Sequence, residues 1–347
     1  MTTLETRAIP RRTQVAVRWV EKRTVTPNQV PPLEILRARK RAERLRISVG
    51  VTAFNDAATI GHICRVIRRE LMTEVPFVDE LVVLDSESVD DTVLRARSAG
   101  AHVLNVNELM PEVPSCPGKG DSLWRSLTAL SGDIIVWLNA DIRNFGPHFV
   151  TRLVAPLLVD PTVGFVKGYY ERPTEIDVEI DDVLYIAGDG HMTEFLARPL
   201  LTMLFPELGG FFEPLAGEYA GRMDLFRRIP FFSGWSVDVA TLIDAFEEIG
   251  LDGMAQVDLG PRVAGNRTLE DLGPRAYTTA RTILARAQER KRIKLSPNAS
   301  SHPLLVPHGG SVDPLRIDDV ERPPIDIIPP YIEALRNDAG HGERRGA

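Results

Sequence analysis

The chain has 347 residues, 44% apolar and 26% charged, the composition of an ordinary globular protein with room for one large α/β domain or two smaller ones. Its formal net charge of -7 argues against a general nucleic-acid binder, and no run of about 18 apolar residues is present to span a membrane. No secretory pattern opens it, and Cys64 and Cys116 stand in unrelated contexts that suggest free thiols in a reducing compartment, so the expected location is cytoplasmic.

Residues 1–31 are polar and broken by prolines, and they read as a poorly ordered arm. Helix formers run from Pro32 to Arg44 and include the basic stretch Arg37-Ala38-Arg39-Lys40-Arg41, which reads as a solvated helix face, with contact to an anionic partner as the alternative. Ile47 to Phe54 predicts a strand, Asn55-Asp56 a turn and cap, and a helix then continues to about Leu71. Glu80 to Leu84 predicts a second strand ending in Asp85-Ser86, and Asp90-Asp91-Thr92 opens a helix that Gly100 closes. Val103 to Val106 is a short third strand, and Gly118-Lys119-Gly120-Asp121 leads into a helix through Leu130. The apolar run Ile134-Ile135-Val136-Trp137-Leu138 suits a central parallel strand covered on both faces, with the polar tip Asn139-Ala140-Asp141. Strands separated by helical stretches in this way imply an α/β fold with a right-handed, doubly wound parallel sheet.

Beyond Asp141 the alternation loosens. His148 to Leu158 predicts a helix, Val163 to Tyr170 a strand, and Gly188 to Glu194 a glycine-rich turn feeding a helix. Leu215-Ala216-Gly217-Glu218-Tyr219-Ala220 reads as another turn into a helix. Ser236 to Ile249 is amphipathic, with Val237, Ala240, Leu242, Ile243 and Phe246 inward. Met254 to Leu259 predicts a strand and Ala276 to Arg292 a long helix, while proline and glycine break the pattern from Ser296 onward.

Several polar tips converge in such a sheet. Thr52-Ala53-Phe54-Asn55-Asp56 ends the first strand, Asp85-Ser86 the second and Asn139-Ala140-Asp141 the central one, with Lys119 in a glycine-flanked loop between them. Ligands gather at the carboxyl ends of strands in open α/β sheets, so these residues outline a nucleotide-sized crevice with carboxylates and a phosphate-binding lysine. A carboxylate at Asp141 can hold a divalent cation that in turn holds a diphosphate, and the alternative is a helix N-cap or turn aspartate. Neither G-x-G-x-x-G after the first strand nor G-x-x-x-x-G-K-[ST] occurs, which argues against a dinucleotide dehydrogenase or a P-loop enzyme.

The segments Thr52 to Ile60 and Leu84 to Thr92 resemble the opening motifs of GT-A nucleotide-sugar glycosyltransferases. Pro117 to Trp124, Met192-Thr193-Glu194, Ala197 to Leu201, Pro214 to Ala220, Ala255 to Gly260 and Val320 to Pro324 are similar to glucosyl-3-phosphoglycerate synthases and their mannosyl relatives. The resemblance implies a GT-A, Rossmann-like, mostly parallel sheet with helices on both faces and a C-terminal acceptor-binding and dimerisation region. It divides the chain into an arm and basic helix (1–45), a nucleotide-sugar-binding half (46–170), an acceptor-binding helical half (171–295) and a C-terminal extension (296–347). The implied activity is retaining transfer of a sugar from a GDP- or UDP-sugar to a small molecule by a homodimer, with no nucleic acid or membrane as partner. In that family the positions of Thr52, Ala53, Phe54, Asp56 and Ser86 line the nucleotide, joined here by Asp85, Asn139 and Ala140. Lys119 and Arg262 fall by the diphosphate, Asp141 at the cation, and Gly190, Thr193 and Asn266 at the acceptor; Asp238 and Glu218 are placed where either could act as a base.

Three departures shape the expectation. The acidic motif begins with the neutral Asn139, and Ala264 stands where the family has a histidine metal ligand, so Mg2+ or Mn2+ binding is expected to be weakened or dispensable. His191 replaces an arginine that grips the acceptor phosphate, which removes a forked, permanent cation. The sequence therefore points to an acceptor without a phosphate, such as the thiol of ergothioneine in a pathway resembling lincosamide antibiotic biosynthesis. The alternatives are a synthase acting on 3-phosphoglycerate and a non-catalytic nucleotide-sugar binder.

Overall fold

Eight strands form one sheet: Thr24–Val25 (β1), Ile47–Ala53 (β2), Glu80–Asp85 (β3), His102–Asn105 (β4), Ile134–Asn139 (β5), Phe165–Glu171 (β6), Tyr219–Arg222 (β9) and Met254–Pro261 (β11). Their order is β1-β11-β6-β9-β5-β2-β3-β4. Glu179–Ile180 (β7) and Val183–Leu184 (β8) pair separately, as do Leu304–His308 (β12) with Ser311–Leu315 (β13), and Phe231–Phe232 (β10) with Glu321–Arg322 (β14). The computed structural model describes residues 9–116, 118–171, 179–180, 183–184, 192–263, 269–297, 299, 301–308 and 310–328.

The apolar run in β5 behaves as its two-residue side-chain period requires. Ile134, Val136 and Leu138 enter one hydrophobic core, and Ile135 and Trp137 enter the other, so the sheet separates two packed layers. The first layer takes Leu36 from the helix Leu33–Ala42 (α2), Ile63 from Ile60–Val66 (α3), Ala96 from Thr92–Ser98 (α4) and Leu153 from His148–Val159 (α6). The second takes Leu123 and Trp124 from Lys119–Ser126 (α5), Leu201 from Arg198–Leu204, Phe226 from Met223–Arg228, Leu242 and Ile243 from Val237–Ile249 and Ile283 from Leu269–Glu289. Gly50 faces Trp137 across β2 and β5, and a Cβ there would lie 2.9 Å from the indole, so glycine makes room for the largest side chain of the strand.

The expected α/β sheet is present and mostly parallel, with one strand that the sequence reading missed. Tyr219–Arg222 is extended, where a turn into a helix was expected, and it runs antiparallel to both β5 and β6. Its four residues are too few to show a periodic pattern, and the helix begins only at Met223. An antiparallel neighbour brings its first residues to the last residues of the strands beside it. Gly217 and Glu218 therefore arrive at the carboxyl tips of β5 and β6.

The segment expected to be a poorly ordered arm is corrected from residue 11 onward. Arg11–Arg23 (α1) is a helix whose buried face is Ala16 and Trp19, and β1 adds to the sheet edge alongside β11. The Trp19 indole donates to the Met254 carbonyl at 3.1 Å and packs 4.4 Å from Phe211. The β-branched Val15, Val17 and Val20 hide such a helix in the sequence, because they favour strands and Val15 and Val17 stay exposed on it. The basic run on α2 is not wholly solvated either: Lys40 is buried and meets Asp79 at 2.6 Å. No helix among the described residues is long and apolar enough to cross a membrane. Trp19→Ala is expected to lower stability by about 3–5 kcal/mol, read as a fall in the urea midpoint, and an unchanged midpoint would show that α1 adds nothing to the fold.

Candidate active site

The crevice is assembled from loops that pin one another. At the end of β2 the Phe54 amide donates to Asp56 Oδ2 at 2.9 Å, the Asp56 amide to Thr92 Oγ1 at 2.7 Å and the Asn55 amide to Ser88 Oγ at 2.9 Å. Asn55 adopts φ of 58°, and its side chain accepts the Val89 amide at 2.9 Å. The tips of β2 and β3 are thus tied, with the Ser86 amide on the Ala53 carbonyl at 3.0 Å and Ser86 Oγ 3.0 Å from Ser122 Oγ. Asp85 is buried. Its Oδ2 accepts the Ser88 amide at 3.2 Å, while Oδ1 has no partner among the described residues. A buried acceptor of that kind is costly unless a ligand satisfies it. Thr52 supplies its carbonyl to the Ala140 amide at 3.1 Å, so the tips of β2 and β5 lie side by side. Phe54 is exposed and offers a flat apolar surface beside them.

The second half of the crevice is ionic. Lys119, expected in a loop, is the first residue of α5, and its Nζ sits 2.9 Å from both carboxylate oxygens of Asp238, at the start of the helix Val237–Ile249. Asn139 Nδ2 donates to Glu218 Oε1 at 3.0 Å, and the Tyr170 hydroxyl donates to Glu218 Oε2. Arg262 Nη2 lies 2.8 Å from Asp141 Oδ1 and 3.4 Å from Glu218 Oε1. The two clusters are contiguous at Gly217, where a Cβ would lie 2.3 Å from Asn139 Nδ2 and 2.5 Å from Lys119 Nζ. Only glycine lets both polar side chains reach that spot.

The structure therefore brings together Thr52, Ala53, Phe54, Asp56, Asp85, Ser86, Lys119, Asn139, Ala140, Asp141, Asp238 and Arg262 along the strand tips. Thr193 is buried, with Oγ1 3.1 Å from Glu213 Oε2, and the Glu213 charge acts on Lys167 and Tyr170 beside the ionic cluster. Gly190, His191 and Asn266 lie outside the described residues. Among the described residues no group of three or more His, Cys, Asp or Glu side chains could hold a metal ion, and the Asp141 carboxylate already faces a guanidinium.

Two residues at the centre of the site escaped the sequence reading in the roles they hold. Glu218 is fully buried and links Asn139, Tyr170 and Arg262; the signal was its place after Gly217 in a recognisable motif, obscured by the missed strand. Lys167 on β6 is also fully buried, donating to the Asp238 carbonyl at 2.8 Å and lying 4.7 Å from the Tyr219 ring centroid. A lysine inside a strand carries no sequence signal of burial. Removal from water pushes its pKa down to about 7 against the attraction of Asp238, and the neighbouring Lys119 adds to the fall. Burial and the adjacent Glu218 hold the Tyr170 phenol well above its ordinary value, so it remains a donor.

The mostly parallel sheet, with cations paired to carboxylates at its carboxyl tips, is that of a GT-A glycosyltransferase, and the comparisons with known proteins agree. No protein-family model matches the chain. It is 38% identical to the glucosyl-3-phosphoglycerate synthase of Petrotoga mobilis over 297 residues, covering 85% of this chain and 90% of that protein. The enzyme of the same name from Mycobacterium tuberculosis is 45% identical over 240 residues, 69% of this chain and 73% of the relative. Its crystal structure with Mn2+, UDP-glucose and phosphoglyceric acid superposes with a TM-score of 0.74 at 38% identity, over 87% of this chain and 98% of that one. The mannosyl-3-phosphoglycerate synthase of Rubrobacter xylanophilus gives a TM-score of 0.80 at 36% identity, over 90% of this chain and 98% of that one. The chain belongs to the glucosyl-3-phosphoglycerate synthase family.

The depressed Lys167 pKa has a consequence for stability. The folded chain resists protonating this lysine below the usual 10.5, whereas the unfolded chain does not, so the contribution is full above that value and is lost as pH falls toward about 7. Lys167→Met is expected to flatten the stability profile across this window, measured by urea denaturation at stepped pH. An equally steep profile in the variant would place the pH dependence elsewhere.

Proposed function

We propose that the protein transfers glucose from UDP-glucose to 3-phosphoglycerate with retention at the anomeric carbon. The observation that carries this reading is the meeting of two cations, Lys119 and Arg262, at the strand tips of a chain whose curated relatives share one activity. The barrier to sugar transfer is the charge that develops on the leaving diphosphate, and preorganised cations in a partly buried site stabilise that charge best. Both are held by carboxylates, Asp238 and Asp141, so they are oriented before the donor arrives. Asp85, Ser86, Thr52, Ala53, Phe54, Asp56, Asn139 and Ala140 would hold the nucleoside, with Asp85 Oδ1 the acceptor that a base or ribose donor satisfies. The C1–oxygen bond to UDP breaks, the hydroxyl oxygen of the acceptor bonds to C1, and its proton passes to the departing phosphate oxygen. Asp238 then serves to hold Lys119 in place and is not required as a base.

The relatives are named for 3-phosphoglycerate, which favours the phosphorylated acceptor over ergothioneine. Gly190, His191, Thr193 and Asn266 are assigned to it. His191 replaces a forked cation, so the phosphate is held less tightly than an arginine would hold it. His191→Arg is expected to lower the KM for 3-phosphoglycerate about tenfold, measured as UDP release, and no turnover of 3-phosphoglycerate by either form would overturn the acceptor assignment.

Solved neighbours contain Mn2+ or Mg2+ with UDP. Asp141 is the carboxylate that would hold such an ion here. Such an ion supplies further relief of leaving-group charge when bound. Because Arg262 already sits against Asp141, the requirement for it is expected to be weak, leaving measurable activity in EDTA. Complete loss in EDTA with recovery in magnesium would refute this. Lys119→Met is expected to lower kcat by roughly a hundredfold or more, and a variant within threefold of native would remove Lys119 from the chemistry. A homodimer is also assigned; exposed Phe195 and Met203 support it, and sedimentation at micromolar concentration tests it.

A further inference from the structure

The C-terminal motif Val320 to Pro324 plays no part in the site as described above, yet its neighbours are the two helices that present Lys119 and Asp238. Asp319 accepts the Gly234 amide at 2.8 Å through Oδ1 and the Ser236 hydroxyl through Oδ2, so it grips the turn that begins the Asp238 helix. The Ser233 amide donates to the Val320 carbonyl at 2.8 Å, the Val320 amide donates to Ser233 Oγ at 3.0 Å, and β14 then pairs with β10. Three residues later the same strap reaches α5. Arg322 Nε donates to Asp121 Oδ1 at 2.7 Å and Nη2 to the Pro114 carbonyl at 2.6 Å, while the Trp124 indole donates to the Pro323 carbonyl at 2.8 Å.

These ties fall two residues from the ion pair on each side: Asp121 after Lys119, and Ser236 before Asp238. The helix starts also touch directly, through the Asp121 amide on the Ser233 carbonyl at 2.9 Å and the Gly120 amide on the Gly234 carbonyl at 3.3 Å. A Cβ on Gly120 would lie 1.7 Å from the Phe232 carbonyl, so the approach of the two backbones leaves no slack. Asp121 is nearly fully buried and shared between Arg322 and Arg125, whose Nε lies 2.7 Å from Oδ2. Losing Arg322 therefore leaves Asp121 a counter-ion, and the helix has no reason to unfold.

We propose that the strap Asp319–Pro323 is a positioning device for the Lys119–Asp238 pair, with Asp319 and Arg322 as its two anchor residues. It ties together from outside two helix starts that also meet through the ion pair itself and two backbone hydrogen bonds, and so sets where the Lys119 ammonium stands relative to the leaving diphosphate. A displacement of about 1 Å at such a group is enough to cost on the order of a hundredfold in rate, while donor affinity, spread over the whole nucleoside, changes little. The proposal rests on the reading of Lys119 as a diphosphate contact, and the test separates the two.

The test is made on the full chain with Arg322→Ala, Arg322→Lys and Asp319→Asn, and with Asp313→Ala on the exposed β12–β13 hairpin for comparison. Lysine acetylation by acetic anhydride, read by mass spectrometry, reports the Lys119 environment without any substrate. Acetylation of Lys119 is expected to rise several-fold in Arg322→Ala and Asp319→Asn, less in Arg322→Lys and not in Asp313→Ala, with exposed Lys294 unchanged throughout. Steady-state assays well below the melting temperature should show kcat falling by about ten- to a hundredfold in Arg322→Ala with UDP affinity within about threefold of native, and partial rescue by Arg322→Lys. In the Lys119→Met background the Arg322→Ala loss should vanish, because both changes act through one group. Unchanged Lys119 protection, or a kcat loss that persists in full without Lys119, would overturn the positioning role. A native chain that releases no UDP would sink the functional reading instead, and the acetylation result would still decide whether the strap holds Lys119.

Discussion

Charge neutrality inside a low-dielectric crevice is the constraint around which the site is built. Asp238, Glu218 and Asp141 face Lys119, Lys167 and Arg262 around β5, β6 and β11, and each is drawn from a different part of the chain. An unpaired charge here would be expelled or neutralised. The matching explains several side chains at once. Glu218, with no contact to water, takes the Asn139 amide, the Tyr170 hydroxyl and a share of Arg262. A carboxylate at position 139 would place two negative charges about 3 Å apart, and the neutral amide avoids that repulsion while donating. Lys167 meets the same constraint differently, with burial pushing its pKa down to about 7 and its hydrogen bond going to a carbonyl.

Backbone geometry delivers these groups. The parallel strands bring Thr52, Asp85 and Asn139 to one edge, as any doubly wound sheet would. The short antiparallel β9 adds what the parallel strands cannot, because only a strand running the other way starts where they end. Gly217, at its head, sits so close to Lys119 and Asn139 that any side chain would force them apart. The tips of β2 and β3 and the ionic cluster are thereby brought to one edge of the sheet.

The ends of the chain complete that frame from outside. The α1 helix seals the second core beneath β11 with Trp19, and the C-terminal strap clasps the two helix starts that hold the Lys119–Asp238 pair. Both segments look dispensable as sequence. Each acts through a small number of buried contacts between residues some 200 positions apart, such as Arg322 with Asp121 or Trp19 with Met254.

Local pattern was enough to place β2, β3, β5, β6 and β11, most of the helices and the polar tips, because a buried strand has to be apolar throughout and its carboxyl end has to stop being so. The places of the glycine-flanked Lys119 and of Asp141 near the strand tips were legible in the pattern, and that of Arg262 came through the family resemblance. Tertiary structure decided the rest. A four-residue antiparallel strand has no period to detect, a buried lysine on β6 looks like any lysine, and an arginine near the C-terminus says nothing of the aspartate it will meet. Pairing between distant charges is set by the path of the whole chain through space, and no stretch of sequence read along its length contains that distance.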